Sequence, residues 1–495
     1  MSSTVPGFRA PAPGVDRPSL WSPAVLRTEV LAGLVVGLAL IPEAIAFSVI
    51  AGVDPRVGLF SSVTMAITIA FAGGRPAMVS AATAAVALVV APMAREHGVG
   101  YLVATIFLAG MIQMLLAFFG VAKLMRFIPR SVMVGFVNAL AILVFVAQLR
   151  HLIDVPWLVY PLTAVGIAVM VALPKLTTAV PPPLVVVLVL TLAVVAFGWH
   201  VPNVGDQGAL PDSLPVPGIP HVPFTLHTLQ IVGPYALGAA LVGLLESLMT
   251  AKLVDDITDT RSNKTREAWG QGLANMVTAV FGGMGGCAVV GQTMMNVKIA
   301  GARTRLSTLL TGVFVLILVL ALGDQVGRIP MAALVAVMIV VSVATFDWHS
   351  VAPRTLKVLP RSETLVMVIT VVATVASGNL AVGVLLGVLT AMVAFARRVA
   401  HFTSVSAGEV PGTYRVRGDL FFVSSNDLVH QFDYAGDPGD VVIDLSGTSI
   451  WDASSVATLD AIQLKYSARG KTVQFTGLDE ASLTRLNRLS GQLGV

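Results

Sequence analysis

Two acidic residues lie deep inside apolar stretches of the sequence, where a carboxyl group can do ion chemistry. Glu43 stands in the run IPEAI of residues 41–45, and Glu246 stands in GLLES of residues 243–247. A charge at the centre of a bilayer costs at least about 2.5–3.5 kcal/mol, so such residues usually serve a substrate pathway, a proton relay or an ion site. Both residues are therefore predicted to bind protons or ions. The structural alternative is a neutral carboxyl that links two helices by a hydrogen bond.

Two glycine-rich breaks interrupt the apolar pattern and indicate half-helices inside a membrane. The sequence GGRP of residues 73–76 precedes the third apolar stretch, and GGMGG of residues 282–286 precedes the tenth. A helix that begins at mid-membrane exposes unpaired N–H groups and the positive end of its dipole. Two such ends that face each other predict an anion site without a buried cation.

The composition places these features in a polytopic membrane protein. Of the 495 residues, 56% are hydrophobic and only 12% are charged, whereas soluble domains average about 45–50% and about 25%. Fourteen apolar stretches are present, and most of them approach the roughly 20 residues needed to cross a bilayer core. They cover residues 30–51, 57–73, 78–94, 101–120, 131–148, 157–173, 182–198, 231–253, 268–283, 290–301, 304–323, 331–345, 364–378 and 381–398.

The fourteen stretches divide into two halves of seven with matching features. The broken stretch is the third of each half, and Glu43 and Glu246 lie in the first of each half. Because seven is an odd number, the second half enters the membrane with inverted orientation. Interrupted segments at matching places in two inverted halves are the best sequence pointer to a transporter site. The expected fold class is an α-helical polytopic membrane protein with a 7+7 inverted repeat.

The charge distribution predicts the orientation of the chain and a separate tail. With both termini in the cytoplasm, twenty Lys and Arg residues fall on the cytoplasmic side and four on the other, as the positive-inside rule requires. Residues 1–400 contain 24 basic and 16 acidic residues, whereas residues 401–495 contain 7 and 11. The tail is therefore expected to be an acidic soluble domain. The basic residues form no block, so no nucleic-acid partner is expected.

Motifs in both halves resemble the sulfate permease (SulP) family of anion transporters. PEAIAFS at 42–48 and AGVDPRVGLFSS at 51–62 are similar to the signature of the family's first helix. LES at 245–247 resembles its eighth helix. NVK at 296–298 and GARTRLS at 301–307 resemble the sequence that follows its tenth helix.

The tail resembles a STAS domain, the small α/β domain that follows the transport domain in this family. VVIDLSG at 441–447 and IWDASS at 450–455 look like the core of such a domain. The pattern of 441–445 predicts a buried strand, and that of 454–469 predicts an amphipathic helix. Some bacterial STAS relatives are phosphorylated on the serine directly after this aspartate, where this chain has Ala453. A role as scaffold, in trafficking or in dimer contact is therefore expected instead of a phosphorylation switch.

The resemblance implies a domain arrangement for the whole chain. Residues 1–28 would form a cytoplasmic N-terminal segment, residues 29–400 the transport domain, and residues 401–495 a cytoplasmic STAS domain. Segments 1–4 and 8–11 would form a mobile core domain, and segments 5–7 and 12–14 a gate domain. The protein is also expected to be a homodimer in the lipid bilayer of the cell membrane. In a bacterium this would be the inner membrane.

Two departures from the family pattern bear on the site. Many members have glutamine in place of Glu43, and members with channel or exchanger behaviour often have arginine in place of Gln292, so this site is more acidic. A carboxylate that faces an anion must be neutralised, which favours a proton that enters with the anion. The residues expected around the substrate are Glu43, Ser80, Ala81, Ala82, Thr83, Glu246, Gln292, Thr293 and Asn296. Asn296 is equally suited to a helix–helix hydrogen bond.

Three functions are open at this point. The first is a secondary active transporter that carries a small oxyanion or dicarboxylate with protons by alternating access; Glu246 and Glu43 would couple the proton, and no cofactor is required. The second is a sodium-coupled bicarbonate transporter, in which Glu246 would help to bind sodium. The third is a passive anion channel. An enzyme is not expected, because no nucleotide-binding loop or nucleophile–base spacing is present. The single cysteine, Cys287, excludes a cysteine-rich metal site, and no metal is expected.

Overall fold

Two compact units make up the chain, one that ends at Val388 and one that begins at Leu389. The computed structural model describes residues 22–120, 129–176, 181–210, 213–218, 222–223, 225–400, 403–422, 424–425 and 428–492. Residues 1–21 of the predicted N-terminal segment lie outside the described residues. The first helix, α1, begins at Pro23.

The described residues up to Ala400 are mostly helical, and every predicted apolar stretch contains a helix. The helices are α1 (Pro23–Ala51), α2 (Pro55–Ala72), α3 (Ala84–His97), α4 (Val99–Phe118), α5 (Arg130–Leu149), α6 (Val159–Leu176), α7 (Pro182–Ala196), α8 (Leu226–Thr258), α9 (Lys264–Val280), α10 (Val290–Met294), α11 (Arg305–Ala321), α12 (Gly323–Gly327), α13 (Met331–Thr345), α14 (Pro353–Val358), α15 (Arg361–Ser377) and α16 (Leu380–Ala400). Within the described residues, seven helices are long and apolar enough to cross a membrane, and three shorter ones are apolar. The number of fourteen crossings stays a prediction.

Local capping signals explain where several of these helices begin and end. Ser22 caps α1 by accepting a hydrogen bond from the N–H of Val25 at 3.4 Å, and a proline follows it at the first helical position. Asn263 caps α9 in the same way, with the N–H of Arg266 at 2.9 Å. Gly52 ends α1 with φ of 77°, a left-handed conformation that glycine adopts without strain.

The helices of the first unit pack in two groups. In one group, α11 lies against α1 and α2, while α4 packs against α8 and α9. In the other, α13 packs against α5 and α6, and α15 packs against α5. The interior of the first group contains small, fully buried residues such as Ala44, Ala85 and Ala240, which let membrane helices approach closely. That one group moves against the other during transport stays a prediction.

The second unit contains a four-stranded mixed sheet. Its strands are β3 (Ser404–Ala407), β4 (Thr413–Arg417), β5 (Asp440–Gly447) and β6 (Thr472–Thr476), in that spatial order. The first pair is antiparallel, and the other two pairs are parallel. Two helices, α17 (Ala453–Ser467) and α18 (Glu480–Leu489), complete the α/β fold. The strand predicted at 441–445 and the helix predicted at 454–469 are confirmed as β5 and α17.

Candidate functional site

The two glycine-rich breaks of the sequence lead into two very short strands that pair with each other. Strand β1 (Ser80–Ala81) precedes α3, and strand β2 (Cys287–Ala288) precedes α10. The strands are antiparallel, with Ser80 opposite Ala288 and Ala81 opposite Cys287. Each half-helix begins two or three residues after its strand, and because the strands run in opposite directions, the half-helices leave this crossing in opposite directions. The N-termini of both half-helices therefore lie at the pair of β1 and β2. This strand pair, together with the two helix N-termini, is called the crossing.

Three serine side chains hold the crossing in place. The N–H of Ala82 donates to Ser62 Oγ at 3.3 Å, and the N–H of Met284 donates to Ser61 Oγ at 2.7 Å. The N–H of Ala288 donates to Ser247 Oγ at 3.0 Å. Since a buried backbone N–H without a partner is costly, these three side chains replace the partners that a wider sheet would supply.

Glu43 lies at the start of α10. It follows Pro42 within α1, is only 7% exposed, and lies beside the side chain of Gln292. The Gln292 Oε1 atom is buried and has no hydrogen-bond partner among the described residues. The side chain next to Glu43 therefore carries a buried acceptor without a partner in the described part of the chain.

Glu246 lies at the other side of the crossing and is linked to the start of α3. Its Oε2 atom accepts a hydrogen bond from the thiol of Cys287 at 3.0 Å. The same sulfur lies 3.1 Å from Thr83 Oγ1. Thr83 is the N-cap of α3, where its hydroxyl accepts from the N–H of Val86 at 3.5 Å. A buried chain of three side chains thus connects this carboxyl to the N-terminus of the half-helix.

Thr293 and Asn296 attach α10 to the chain in front of β1. The N–H of Val79 donates to Thr293 Oγ1 at 3.0 Å. The amide of Asn296 donates to the carbonyl of Ala77 at 2.8 Å and to Ser307 Oγ at 3.0 Å. Asn296 therefore makes the helix–helix hydrogen bonds that were one of its two predicted roles, and a role in substrate binding stays a prediction.

The structure brings the predicted site residues together at one crossing. Ser80, Ala81, Ala82 and Thr83 form β1 and the start of α3, and all are buried. In the sequence, Cys287 served only to exclude a cysteine-rich metal site, yet in the structure it is the residue that joins Glu246 to Thr83. Its position between the GGMGG break and the tenth apolar stretch is the signal that could have identified it.

Two further buried carboxyls serve the backbone instead of the crossing. Glu29 of α1 accepts hydrogen bonds from the N–H groups of Arg303 and Thr304, at 2.8 and 3.0 Å, and thereby holds the start of α11. Glu267 of α9 accepts from the N–H groups of Gly74 and Arg75, at 2.7 and 3.0 Å. Glu29 accepts from backbone N–H groups, and Glu267 accepts from two backbone N–H groups and from the Gln271 amide, whereas Glu43 and Glu246 have no backbone donor in the described part of the chain. Buried carboxyls in this chain are therefore of two kinds.

Two half-helices meet at their N-termini, and a buried carboxyl with a neutral neighbour lies near each N-terminus. This arrangement is typical of membrane transporters with broken helices. The chain belongs to the Sulfate permease family, whose sequence model matches residues 26–160 and 155–370, and the STAS domain model matches residues 404–491. It is a multi-pass membrane protein and an anion transporter with a STAS domain, and not an enzyme.

Related proteins and structures agree with this assignment. A Bacillus subtilis protein named "Putative sulfate transporter YbaR" is 48% identical over 467 residues, which cover 94% of this chain and 97% of that protein. The bicarbonate transporter BicA of Picosynechococcus is 26% identical over 77% of this chain and 72% of its own. The murine Slc26a9 anion transporter in the inward-facing state has the same fold, with a TM-score of 0.81 and 18% identity over 94% of this chain and 88% of that chain.

Proposed function

We propose that the protein is a secondary active transporter that carries a small oxyanion or dicarboxylate together with protons by alternating access. The anion binds at the crossing, between the N-termini of α3 and α10. Glu246 is the principal proton-binding group, and Glu43 is the second. Ser80 to Thr83, Gln292 and Thr293 line the anion with hydroxyl, amide and backbone N–H groups.

The observation that carries this proposal is the absence of fixed cations beside the two carboxyls. The ion pairs found among the described residues involve neither Glu43 nor Glu246. Their side-chain neighbours are the neutral groups of Gln292 and Cys287. An anion that entered next to two unpaired carboxylates would be repelled at low dielectric, and protonation removes that repulsion. Anion entry is therefore favoured when a proton enters as well.

Sodium-coupled bicarbonate transport is the second candidate. The observation in its favour is the similarity to the bicarbonate transporter BicA over 77% of this chain. Carboxylate and hydroxyl oxygens of Glu246 and Thr83 are close to the same sulfur atom and are the hard ligands that small cations prefer. In this case Glu246 helps to bind sodium, and external pH has little influence on transport.

We further propose the setting of the transporter in the cell. The bias of basic residues in the sequence supports a cytoplasmic location for both termini and the STAS domain. A homodimer in the cell membrane accords with the family. We expect a protease to cleave the tail in inside-out vesicles only. We expect a cross-linker to join two copies in membranes.

Uptake into proteoliposomes tests the coupling. Purified parent protein is compared with Glu246→Gln, Glu43→Gln and the double variant, with labelled sulfate, bicarbonate and a dicarboxylate, across external pH and with or without sodium. Glutamine keeps the size and hydrogen bonding of the side chain but cannot bind the proton. We expect uptake by the parent to rise by at most about 10-fold for each pH unit of an inwardly directed proton gradient. We expect Glu246→Gln to lose most of this stimulation while it still binds the anion.

Glu29→Gln is the matched control, because it changes a buried carboxyl on the same helix as Glu43 that serves only backbone N–H groups. It should keep full pH stimulation in whatever folded protein is obtained. Full pH stimulation in both site variants and in the double variant would contradict proton coupling. Stimulation by sodium without any pH dependence in the parent would favour the second candidate, and a steady conductance would favour a channel.

A further inference from the structure

Helix α9 carries a row of buried polar side chains at intervals of one helical turn. Glu267, Gln271 and Asn275 are spaced four residues apart, and they are 0%, 0% and 3% exposed. Residues at such spacing lie on the same face of a helix. Polar residues that face the interior of a membrane bundle are costly unless they have partners, so the contacts of this row identify its purpose.

Two members of the row each hold one side of the crossing. The Gln271 amide donates to Ser80 Oγ of β1 at 2.7 Å. One turn further along, Asn275 binds both the N–H and the carbonyl group of Gly286, the residue before β2. The N–H of Gly286 donates to Asn275 Oδ1 at 2.9 Å, and Asn275 Nδ2 donates to the Gly286 carbonyl at 3.1 Å. The amide of Asn275 therefore acts as a neighbouring strand would act.

The spacing of the two amides fits the spacing of the two strands. Four residues of α-helix rise about 6 Å, and neighbouring strands lie about 4.8 Å apart. Because Gln271 and Asn275 are four residues apart on one rigid helix, they offer contacts to β1 and β2 at nearly the separation that strand pairing requires. The helix is thus a template for the two-stranded crossing.

Both amides are themselves fixed by further contacts. Asn275 Nδ2 also donates to Gln113 Oε1 of α4 at 2.9 Å, and Gln113 Nε2 donates to the carbonyl of Ala240 in α8 at 3.3 Å. Gln271 Nε2 donates to Glu267 Oε1 at 2.9 Å. The row is therefore anchored to α4, through Gln113 to α8, and through Glu267 to the loop in front of β1. Side chains that are held in this way have little freedom to let the crossing shift.

We propose that Gln271 and Asn275 are positioning residues that set the placement of β1 and β2, and through them the N-termini of α3 and α10. They determine how well the anion is bound without contacting it. The link to anion affinity rests on the proposed function, whereas the link to the crossing does not.

Cys287 supplies a test of the positioning that needs no substrate, because it is the only cysteine of the chain and belongs to β2. The rate at which a small methanethiosulfonate reagent modifies it in detergent-purified full-length protein reports how often the crossing opens. Gln271→Glu and Asn275→Asp keep the side-chain shapes but replace the donating nitrogen with oxygen. We expect each to accelerate modification about 10-fold, the loss expected for two hydrogen bonds.

Thr278→Val is the matched control. Thr278 is buried on the same helix, but its hydroxyl contacts Thr64 of α2 at 2.7 Å and no residue of β1 or β2. It should leave the modification rate within about 2-fold of the parent. If Asn275→Asp yields no folded protein, Gln113→Met removes the acceptor of Asn275 and should accelerate modification by a smaller factor. Parent-like rates in the Gln271 and Asn275 variants, or equal acceleration in Thr278→Val, would overturn the inference.

Counterflow of labelled sulfate without ion gradients separates this inference from the proposed function. We expect the KM for sulfate to rise about 10-fold in Gln271→Glu and Asn275→Asp, with the maximal rate within about 2-fold. A merely structural role would lower the amount of active protein and leave KM unchanged. Faster Cys287 modification with an unchanged KM would contradict the anion site at the crossing while the positioning role stands.

Discussion

The two half-helices begin at the same strand pair but are built differently. Helix α3 has 14 residues, and the Thr83 hydroxyl caps its N-terminus. Helix α10 has five α-helical residues and continues as a π-helical turn over Met295–Ile299, and its N-cap, Val289, provides no side-chain cap. A cap occupies N–H groups that would otherwise bind a ligand. For the proposed anion at the crossing, we therefore expect α10 to supply most of the backbone hydrogen bonds and α3 fewer.

The two buried carboxyls also differ in how they are connected to the half-helices. Glu43 is joined directly to Gln292 of α10, whereas Glu246 reaches α3 through Cys287 and Thr83. One carboxyl therefore touches the uncapped half-helix, and the other is connected to the cap of its counterpart. The two carboxyls are therefore attached to the two half-helices in different ways.

The largest effect is expected from a side chain added at the crossing. A methyl group on Gly286 would collide with the carbonyl oxygen of Ala81 in β1, whereas a methyl group on Gly291 would meet nothing within 4 Å. We expect Gly286→Ala to lower the maximal transport rate by more than about 100-fold, because the strands cannot pair. Gly291→Ala should stay within about 3-fold. Uptake at matched protein levels measures both, and equal effects would show that the strand pair does not position α10.

A new cap on α10 should have an intermediate effect. In Val289→Ser the hydroxyl can accept from N–H groups of the first turn and so compete with the anion, and we expect KM to rise about 5-fold. Thr83→Val removes the cap of α3 and should change KM by about 2-fold, together with a loss of about 1 kcal/mol in stability. Concentration-dependent uptake and thermal unfolding measure these changes. A larger KM change in the Thr83 variant would reverse the assignment of the anion to α10.

The smallest effect is expected at the residue between Glu246 and Thr83. Cys287→Ser keeps a donor of similar size, so transport should remain within about 2-fold of the parent. Cys287→Ala leaves the Glu246 carboxyl without its donor, and a decrease of about 3-fold is expected. The same uptake assay compares them. A severe defect in the serine variant would show that the thiol itself, and not the hydrogen bond, is required.

Periodicity and composition predicted the helices and the tail well, because both follow from local patterns. The apolar stretch at 231–253 is part of α8, and the strand at 441–445 is part of β5. The pairing of β1 with β2 could not be predicted, since each strand has only two residues and its partner lies in the other half of the chain. The GGRP and GGMGG breaks showed where regular helix stops but not what replaces it.

The same limit applies to the candidate site. Glu43 and Glu246 could be identified because a carboxyl in an apolar run is unusual. Gln271 and Asn275 could not, since α9 is the least apolar of the long helices, and polar residues four apart resemble an ordinary hydrated face. Their partners, Ser80 and the backbone of Gly286, are defined only by the packing of α9 on the crossing.

The distance along the chain between the two strands has a consequence for synthesis in the cell. Ser80 and Ala288 pair although 208 positions separate them. At roughly 5–20 residues per second, the ribosome needs about 10–40 s to make the second strand after the first. Because unpaired backbone is not tolerated in hydrocarbon, the segment that leads into α3 cannot settle in the membrane when it is first made. We expect it to stay in contact with protein instead of lipid until β2 has been made.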